Sequence, residues 1–368
     1  MSNTGRQDSR LRAPCLASPD GVIDLQSEVA AGIDPQVRHA LLTASDGSDC
    51  YDTNAHVHEL EERVAATFGM AEALFMPTGR MANTVAIGVL SPEAAEVVLE
   101  ARSHIMTSEY GMLARLLSLQ SKTYLSPDGA VRVDQVLPLI AEQENRTLGR
   151  GVVAVEDTHL ASGGVPQDVG VLRALSGHVR TAGRAMYCDG ARLWHSMAAT
   201  GQRPAAYGEI FDAISVSMVK GPGAPVGAVA VFARPQRALA RDIRRMLGGG
   251  WAAPGALAAA ALRALDVNLP ELAGHCQRAA HLACLLSAEL GPHRVRCSTN
   301  MVLFDVPRSD VFFDWCAERG LLLFRHAPAV MRAVVHAGVR EQDIERAARI
   351  IAEQDARGQA IQSVERTG

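Results

Sequence analysis

The chain has 368 residues, close to half of them hydrophobic and about a fifth charged, which is room for one large domain and a smaller one around a substantial core. A formal charge of −4 gives no electrostatic reason to expect nucleic acid or an anionic membrane as partner, and no apolar run approaches the roughly 20 residues a spanning helix needs. Seven cysteines (15, 50, 188, 276, 284, 297 and 316) are odd in number, scattered and without a CxxC pair, a pattern of reduced thiols in a cytoplasmic protein and not of a disulfide frame or zinc site.

In chain order, residues 1–19 are polar and without periodicity, and are expected to form a structureless tail; lacking an apolar stretch, they are no signal peptide. An arm and a large domain are expected over 20–265. Within it, 58–68 places Leu60, Val64 and Phe68 on one helical stripe. His56 and His58, two apart, cannot share a helix face and are expected on a turn or surface, not on a metal. The short apolar run 73–76 ends in Pro77-Thr78-Gly79 and a helix follows, a strand–turn–helix junction whose unpaired N–H groups and positive dipole end make a seat for phosphate. Further strands are expected at 152–155, 185–188, 213–216 and 227–232, so the alternation predicts an α/β fold with a mostly parallel, doubly wound sheet. Arg237, Arg241, Arg244 and Arg245 form a basic helical stripe expected to face solvent. After the glycines at 248–250 and an alanine-rich helix at 256–265, a smaller α+β domain is expected over 266–357, with helices at 271–290 and 310–319 and strands at 301–306 and 331–336. Residues 358–368 are expected to be a second structureless tail.

Two segments carry the chemistry. Tyr187-Cys188-Asp189-Gly190-Ala191-Arg192 and Ser215-Val216-Ser217-Met218-Val219-Lys220-Gly221 each run apolar and end abruptly on a charged residue beside glycine. That is how an α/β protein delivers a reactive group to the carboxyl edge of its sheet. An amine and an acid so placed suit pyridoxal 5′-phosphate: Lys220 forms the Schiff base and Asp189 keeps the pyridine nitrogen protonated. Arg192, three residues beyond Asp189, can face the same cleft. His104 and His159 follow short mixed runs, and either taken alone reads first as a satisfied structural histidine.

With these residues in hand, the chain resembles the threonine aldolase/β-eliminating lyase family of fold-type I enzymes from Ile23 to about Glu353. The likeness lies in Asp24-Leu25-Gln26-Ser27, Phe75-Met76-Pro77-Thr78-Gly79, His104 with Glu109-Tyr110-Gly111, and Glu156-Asp157-Thr158-His159. It continues through Asp189-Gly190-Ala191-Arg192, Lys220-Gly221-Pro222-Gly223-Ala224-Pro225-Val226-Gly227, Gly248-Gly249-Gly250 and Arg332-Ala333-Val334-Val335-His336. The resemblance implies that Lys220 carries the coenzyme, Asp189 pairs with its ring nitrogen and His104 stacks on the ring. It implies that His159, with or without His104, meets the substrate hydroxyl, that Ser27, Arg192 and Arg332 hold the substrate carboxylate, and that the protein is a homotetramer built from dimers. The implied reaction joins or cleaves Cα–Cβ of a β-hydroxy-α-amino acid, giving glycine and an aldehyde. Transaldolase-like synthesis, β-elimination, racemisation, or a non-catalytic module on the same fold are the alternatives.

Departures from the family pattern are Val219, where a small hydroxyl residue commonly precedes the lysine, and Arg80, where a threonine commonly follows the turn glycine. Trp251-Ala252-Ala253-Pro254 stands where an arginine often follows the triple glycine. Arg80 is expected to restore positive charge at the phosphate. Tyr51, with Tyr110 and Trp251, is expected to wall the side-chain pocket.

Overall fold

The computed structural model describes residues 21–45, 47–49, 51–91, 95–141, 149–307 and 309–367, so the expected N-terminal tail lies outside them. The chain divides into two compact units, Ile33–Pro270 and a second built from the segment up to Gly32 together with Glu271 onward. The segment after residue 20 therefore groups with the C-terminal region and not with the large domain. The cause is a short parallel ladder: β1 (Ile23–Asp24) pairs with β11 (Leu321–Leu322). The junction falls at Pro270/Glu271, a few residues beyond the 265/266 boundary read from the sequence.

Among the described residues the large unit holds seven strands: β2 (Glu72–Met76), β3 (Ala95–Glu100), β4 (Gln120–Tyr124), β5 (Gly149–Glu156), β6 (Ala185–Gly190), β7 (Ala213–Ser217) and β8 (Ala228–Phe232). Their spatial order is β2-β8-β7-β6-β5-β3-β4. Only β8 runs against its neighbours. β7 (AISVS) and β8 (AVAVF) are buried at every position and rich in Val, Ala and Ile because both of their faces are covered. Register places Glu156, Asp189 and Ser215 side by side across β5, β6 and β7 at their carboxyl ends.

Helix Gly79–Leu90 lies on one face of this sheet, burying Ala82, Val85, Ala86, Ile87 and Val89 against Leu74, Val97, Val152 and Tyr187. Thr78 begins it by accepting the Met81 N–H at 3.2 Å, a side-chain N-cap. Helix Ala55–Phe68 starts at Asn54, which caps Val57, and stops at Gly69 in the left-handed conformation. His56 and His58 stand in its first turn.

In the second unit an antiparallel sheet orders β9 (Val295–Ser298), β10 (Met301–Asp305), β12 (Phe324–Ala327) and β13 (Val330–Val334) as β12-β13-β10-β9. Helices Leu272–Leu290 and Glu341–Thr367 contribute Leu282, Leu286, Ile344 and Ile351 to the core beneath it. The last helix runs through most of the span expected as a C-terminal tail.

Candidate active site

Asp189 is the penultimate residue of β6 and is 2 % exposed. Its Oδ1 accepts the Ala191 N–H at 3.2 Å and its Oδ2 accepts Asn83 Nδ2 at 3.0 Å. Asn83 lies one turn into helix Gly79–Leu90, and its amide is oriented from behind: Oδ1 accepts from the hydroxyls of Tyr187 (2.5 Å) and Ser215 (2.8 Å). Tyr187 can do this because it is two residues before Asp189 and so shares its face of the sheet. The second Nδ2 bond of Asn83 goes to Glu109 Oε1 at 2.7 Å, and the same oxygen meets His104 Nδ1 at 2.9 Å. Nitrogen and oxygen atoms of His104, Glu109 and Asp189 all lie within 4.8 Å of one another.

Glu156, beside Asp189 on β5, accepts the His104 backbone N–H at 2.9 Å and that of Leu160 at 3.1 Å, fixing where the helix His104–Ser108 begins. Burial, helped by the Asp189 charge, pushes its carboxyl up to about 7. For His104, burial works to lower the pKa, but the Glu109 hydrogen bond and the charges of Asp189 and Glu109 outweigh it and raise the net value. Lys220 is near enough to oppose that rise.

Lys220 is half-buried in the loop joining β7 to β8. Ser217 Oγ accepts the N–H groups of Val219 (3.2 Å) and Lys220 (2.9 Å), so a hydroxyl two residues before the position expected from the family fixes the lysine's backbone. The loop is closed further by Met218 N–H to Gly227 O at 3.0 Å and Ala224 N–H to Met218 O at 2.8 Å. Gly227 has φ +108°, and a Cβ there would lie 2.4 Å from the Phe75 ring, so only glycine fits.

At the mouth of helix Gly79–Leu90 the first-turn N–H groups of Gly79 and Arg80 have no carbonyl of their own helix to pair with. A Cβ on Gly79 would meet nothing within 4 Å, so the space over that helix end is open. Beside it, a depression of about 460 Å³ is lined by Thr78, Arg80, Thr84, Glu109, Tyr110 and Arg115. The Arg80 guanidinium lies 5.1 Å from the centre of the Tyr110 ring.

These residues fit pyridoxal phosphate. A lysine on a rigid loop, a buried carboxylate near the neighbouring strand's end, an imidazole beside that carboxylate and an open helix N-terminus are what its aldehyde, pyridine nitrogen, ring face and phosphate require.

A sequence profile of the β-eliminating lyase family matches residues 24–308. The chain belongs to that family. Among relatives of this β-eliminating lyase family member, the low specificity L-threonine aldolase of Escherichia coli O157:H7 is 30 % identical over 332 residues, covering 89 % of this chain and 98 % of that one. The low-specificity L-threonine aldolase 1 of Arabidopsis thaliana is 28 % identical over 333 residues, covering 88 % and 93 %. The solved threonine aldolase of Leishmania major superposes with a TM-score of 0.77 at 17 % identity, covering 90 % and 99 %, which shows a shared fold-type I architecture.

Within the family frame, the sequence-derived residues separate into three sets. Lys220, Asp189, His104, Thr78, Gly79 and Arg80 all belong to the large unit and to the geometry just described. Arg192 follows as the N-cap of helix Leu193–Thr200 and is buried.

His159 is placed otherwise. It is 1 % exposed; Nε2 is 3.0 Å from Glu100 and Nδ1 3.0 Å from Ser162, so both ring nitrogens are committed within the protein. Burial holds its pKa down. Tyr51 is 82 % exposed and Tyr110 65 %, while the Trp251 ring packs 5.1 Å from that of Phe75.

In the second unit, Arg332 on β13 donates to Gln26 O at 2.9 Å with its guanidinium 4.1 Å from the centre of the Phe324 ring. Ser27 is half-buried before the turn Glu28–Ala30. His336 Nε2 donates to Asp24 O at 2.8 Å.

Asn83, Glu109 and Glu156 had no assigned role in the sequence reading. Glu109 and Glu156 stand within the motifs that carry the family likeness, and the signal for Asn83 is a polar residue on a largely apolar helix.

Proposed function

We propose that this protein is a pyridoxal-phosphate-dependent aldehyde-lyase that cleaves, or in reverse forms, the Cα–Cβ bond of a β-hydroxy-α-amino acid, giving glycine and an aldehyde. The observation that carries the reading is the buried Asp189 carboxylate at the end of β6, in register with β7, whose following loop presents Lys220. What the coenzyme supplies when bound is an electron sink for the pair released as a Cα bond breaks. The protein's own residues do the rest. Lys220 offers the amine for its attachment, Asp189 the anion at the ring nitrogen, and the Gly79 and Arg80 N–H groups with the helix dipole the seat for its phosphate.

Ser27, Arg192 and Arg332 are assigned to the substrate carboxylate, with Tyr51 kept as a candidate for the side-chain end. Clamping the carboxylate would fix how the substrate's Cα bonds are presented to the coenzyme, and so which of them is weakened. The β-hydroxyl proton is assigned to His104, because Glu100 and Ser162 already occupy both nitrogens of His159. The test is incubation of the coenzyme-loaded enzyme with L-threonine, L-allo-threonine and phenylserine. Glycine and the matching aldehyde are expected; neither product from any of the three removes the reading.

The family's elimination chemistry favours a second reading, loss of a β-substituent from a substituted alanine; pyruvate and ammonia in place of glycine would select it. We further assign the protein to the cytoplasm as a homo-oligomer, a dimer of dimers. No described helix is long and apolar enough to cross a membrane. Cys188, Cys276, Cys284, Cys297 and Cys316 are all unpaired as disulfides, as a reducing compartment would leave them. Leu42, Tyr51, Leu116 and Met246 are large apolar side chains more than half exposed, the kind of surface a subunit interface covers. Light scattering of the purified protein tests the assembly.

A further inference from the structure

The hydrogen bonds around Glu109 assign protons as well as positions. Asn83 cannot be turned over, because its oxygen is held by two hydroxyls and its nitrogen by two carboxylates. Glu109 Oε1 therefore accepts an N–H from Asn83 at 2.7 Å. His104 Nδ1 meets that same oxygen at 2.9 Å, while Glu109 Oε2 is buried with no hydrogen-bond partner among the described residues. Two arrangements of the His104 contact are conceivable. If Glu109 carried a proton on Oε1 and donated it to His104, the oxygen that takes the Asn83 N–H at 2.7 Å would be a hydroxyl, a poorer acceptor than a carboxylate oxygen for so short a bond. If Oε1 is the acceptor of both N–H groups, its lone pairs are fully used and the proton of the ring resides on Nδ1.

We propose that Glu109, oriented by Asn83, is a positioning residue that holds the imidazole of His104 in its Nδ1–H form, so that Nε2 presents the lone pair that takes the substrate's hydroxyl proton. This rests on the aldolase reading for what Nε2 does, but not for which nitrogen bears the proton. Asn83 has a second consequence. Its other amide hydrogen lies on Asp189 Oδ2, so the residue that orders the base and the residue that anchors the coenzyme's ring nitrogen are fixed by one side chain. The logic is that of a histidine base oriented by a carboxylate, with the carboxylate itself oriented by an amide. The titratable groups facing His104 are Glu109, Asp189 and Lys220, with Glu156 on its backbone N–H.

The experiment is long-range ¹H–¹⁵N correlation spectroscopy of histidine-labelled holoenzyme, with His104→Gln to assign the resonance, paired with turnover and its pH profile. In the native protein His104 is expected as the Nδ1–H tautomer. In Glu109→Gln the amide oxygen still accepts both N–H groups, so the tautomer is kept, but the negative charge is gone and the ring titrates at lower pH. In Glu109→Leu the Nδ1 partner is lost, the tautomers mix, and kcat falls on the order of 10²-fold with KM little changed. An Nε2–H tautomer in the native protein overturns the proposal. So does an unmoved ring titration in Glu109→Gln, the variant that keeps the native shape, or an unmixed tautomer in Glu109→Leu. Because the spectra need no substrate, a correct tautomer with no aldol cleavage would fault the reaction assignment and leave this inference standing.

Discussion

Arg244 and Asp49 form an ion pair in which each side chain is only 1 % exposed. Arg244 also donates to the carbonyl of Phe75 at 2.7 Å, and Arg241 binds the Asp49 carbonyl and, at 2.9 Å, Asp52. Arg237 takes Asp52 through both terminal nitrogens and reaches Glu61 as well, and its hydrogen bonds hold the Asp52 carboxyl far below the usual range. Three of the four arginines expected to face solvent thus clamp the segment on either side of Tyr51 to helix Arg237–Met246 and to the end of β2. Arg245 alone of the four is exposed. Replacing Arg244 by methionine keeps much of the volume but leaves the Asp49 charge buried and unmatched. A loss of about 3–5 kcal/mol is expected from denaturant unfolding. A loss under 1 kcal/mol would show that water reaches Asp49.

Gly79 separates folding from coenzyme binding. Nothing in the protein lies within 4 Å of where its Cβ would be, and its backbone is ordinary helix. Gly79→Ala is therefore expected to leave the thermal midpoint of the coenzyme-free protein unchanged or slightly raised, since alanine is the better helix former by up to about 1 kcal/mol. The new methyl group would stand where the phosphate approaches the helix N-terminus, so coenzyme affinity should fall. Equal affinity for the variant and the native protein, measured by titration of the visible absorption band, would place the phosphate elsewhere.

Arg80 tests the same seat from its charge. It is exposed beside Tyr110 and forms no ion pair with an acidic side chain among the described residues. If it supplies the charge that Val219 and Trp251 do not, Arg80→Ala weakens coenzyme binding by about tenfold, the effect of one contact worth roughly 1.4 kcal/mol. Arg80→Lys should recover part of it, as the charge returns without the guanidinium's planar reach. A native dissociation constant in Arg80→Ala rules the role out.

What could be read in the sequence followed from how local each signal was. Lys220, Asp189 and the Thr78-Gly79 turn announce themselves because a strand ending in a charge beside glycine is written in consecutive residues. The bond between Asn83 and Asp189 spans 106 positions and exists only once a helix has packed on the sheet. β4 escaped notice because it is an edge strand: in Gln120-Ser121-Lys122-Thr123-Tyr124 only Tyr124 is buried, so there is no apolar run to see. The arginine stripe misled for the opposite reason. A basic helix face reads as solvated unless one knows that Asp49, Asp52 and Glu61, almost two hundred residues earlier, are folded against it. His159 was identified through its family motif, and a motif does not record that Glu100 and Ser162 occupy both ring nitrogens.

Asp157 gives the fold a pH dependence of defined sign. Its backbone N–H bonds Asp189 O at 3.0 Å, its side chain is fully buried, and Oδ2 has no partner among the described residues. Burial pushes its carboxyl from the ordinary 3.8 up to about 7, with the Ser196 and Gln167 hydrogen bonds only partly opposing. Between those two values the folded protein keeps a proton that the unfolded chain has released. Stability therefore falls as pH rises through this window and is level above about 7. Asn at this position is the same size and cannot ionise, so Asp157→Asn should gain on the native protein by roughly 2–3 kcal/mol between pH 5 and pH 8. Urea unfolding at the two pH values, with coenzyme saturating, reads the difference directly. A gap that stays constant, or closes with rising pH, would mean that Asp157 is ionised in the folded protein throughout and that Ser196 and Gln167 compensate its charge.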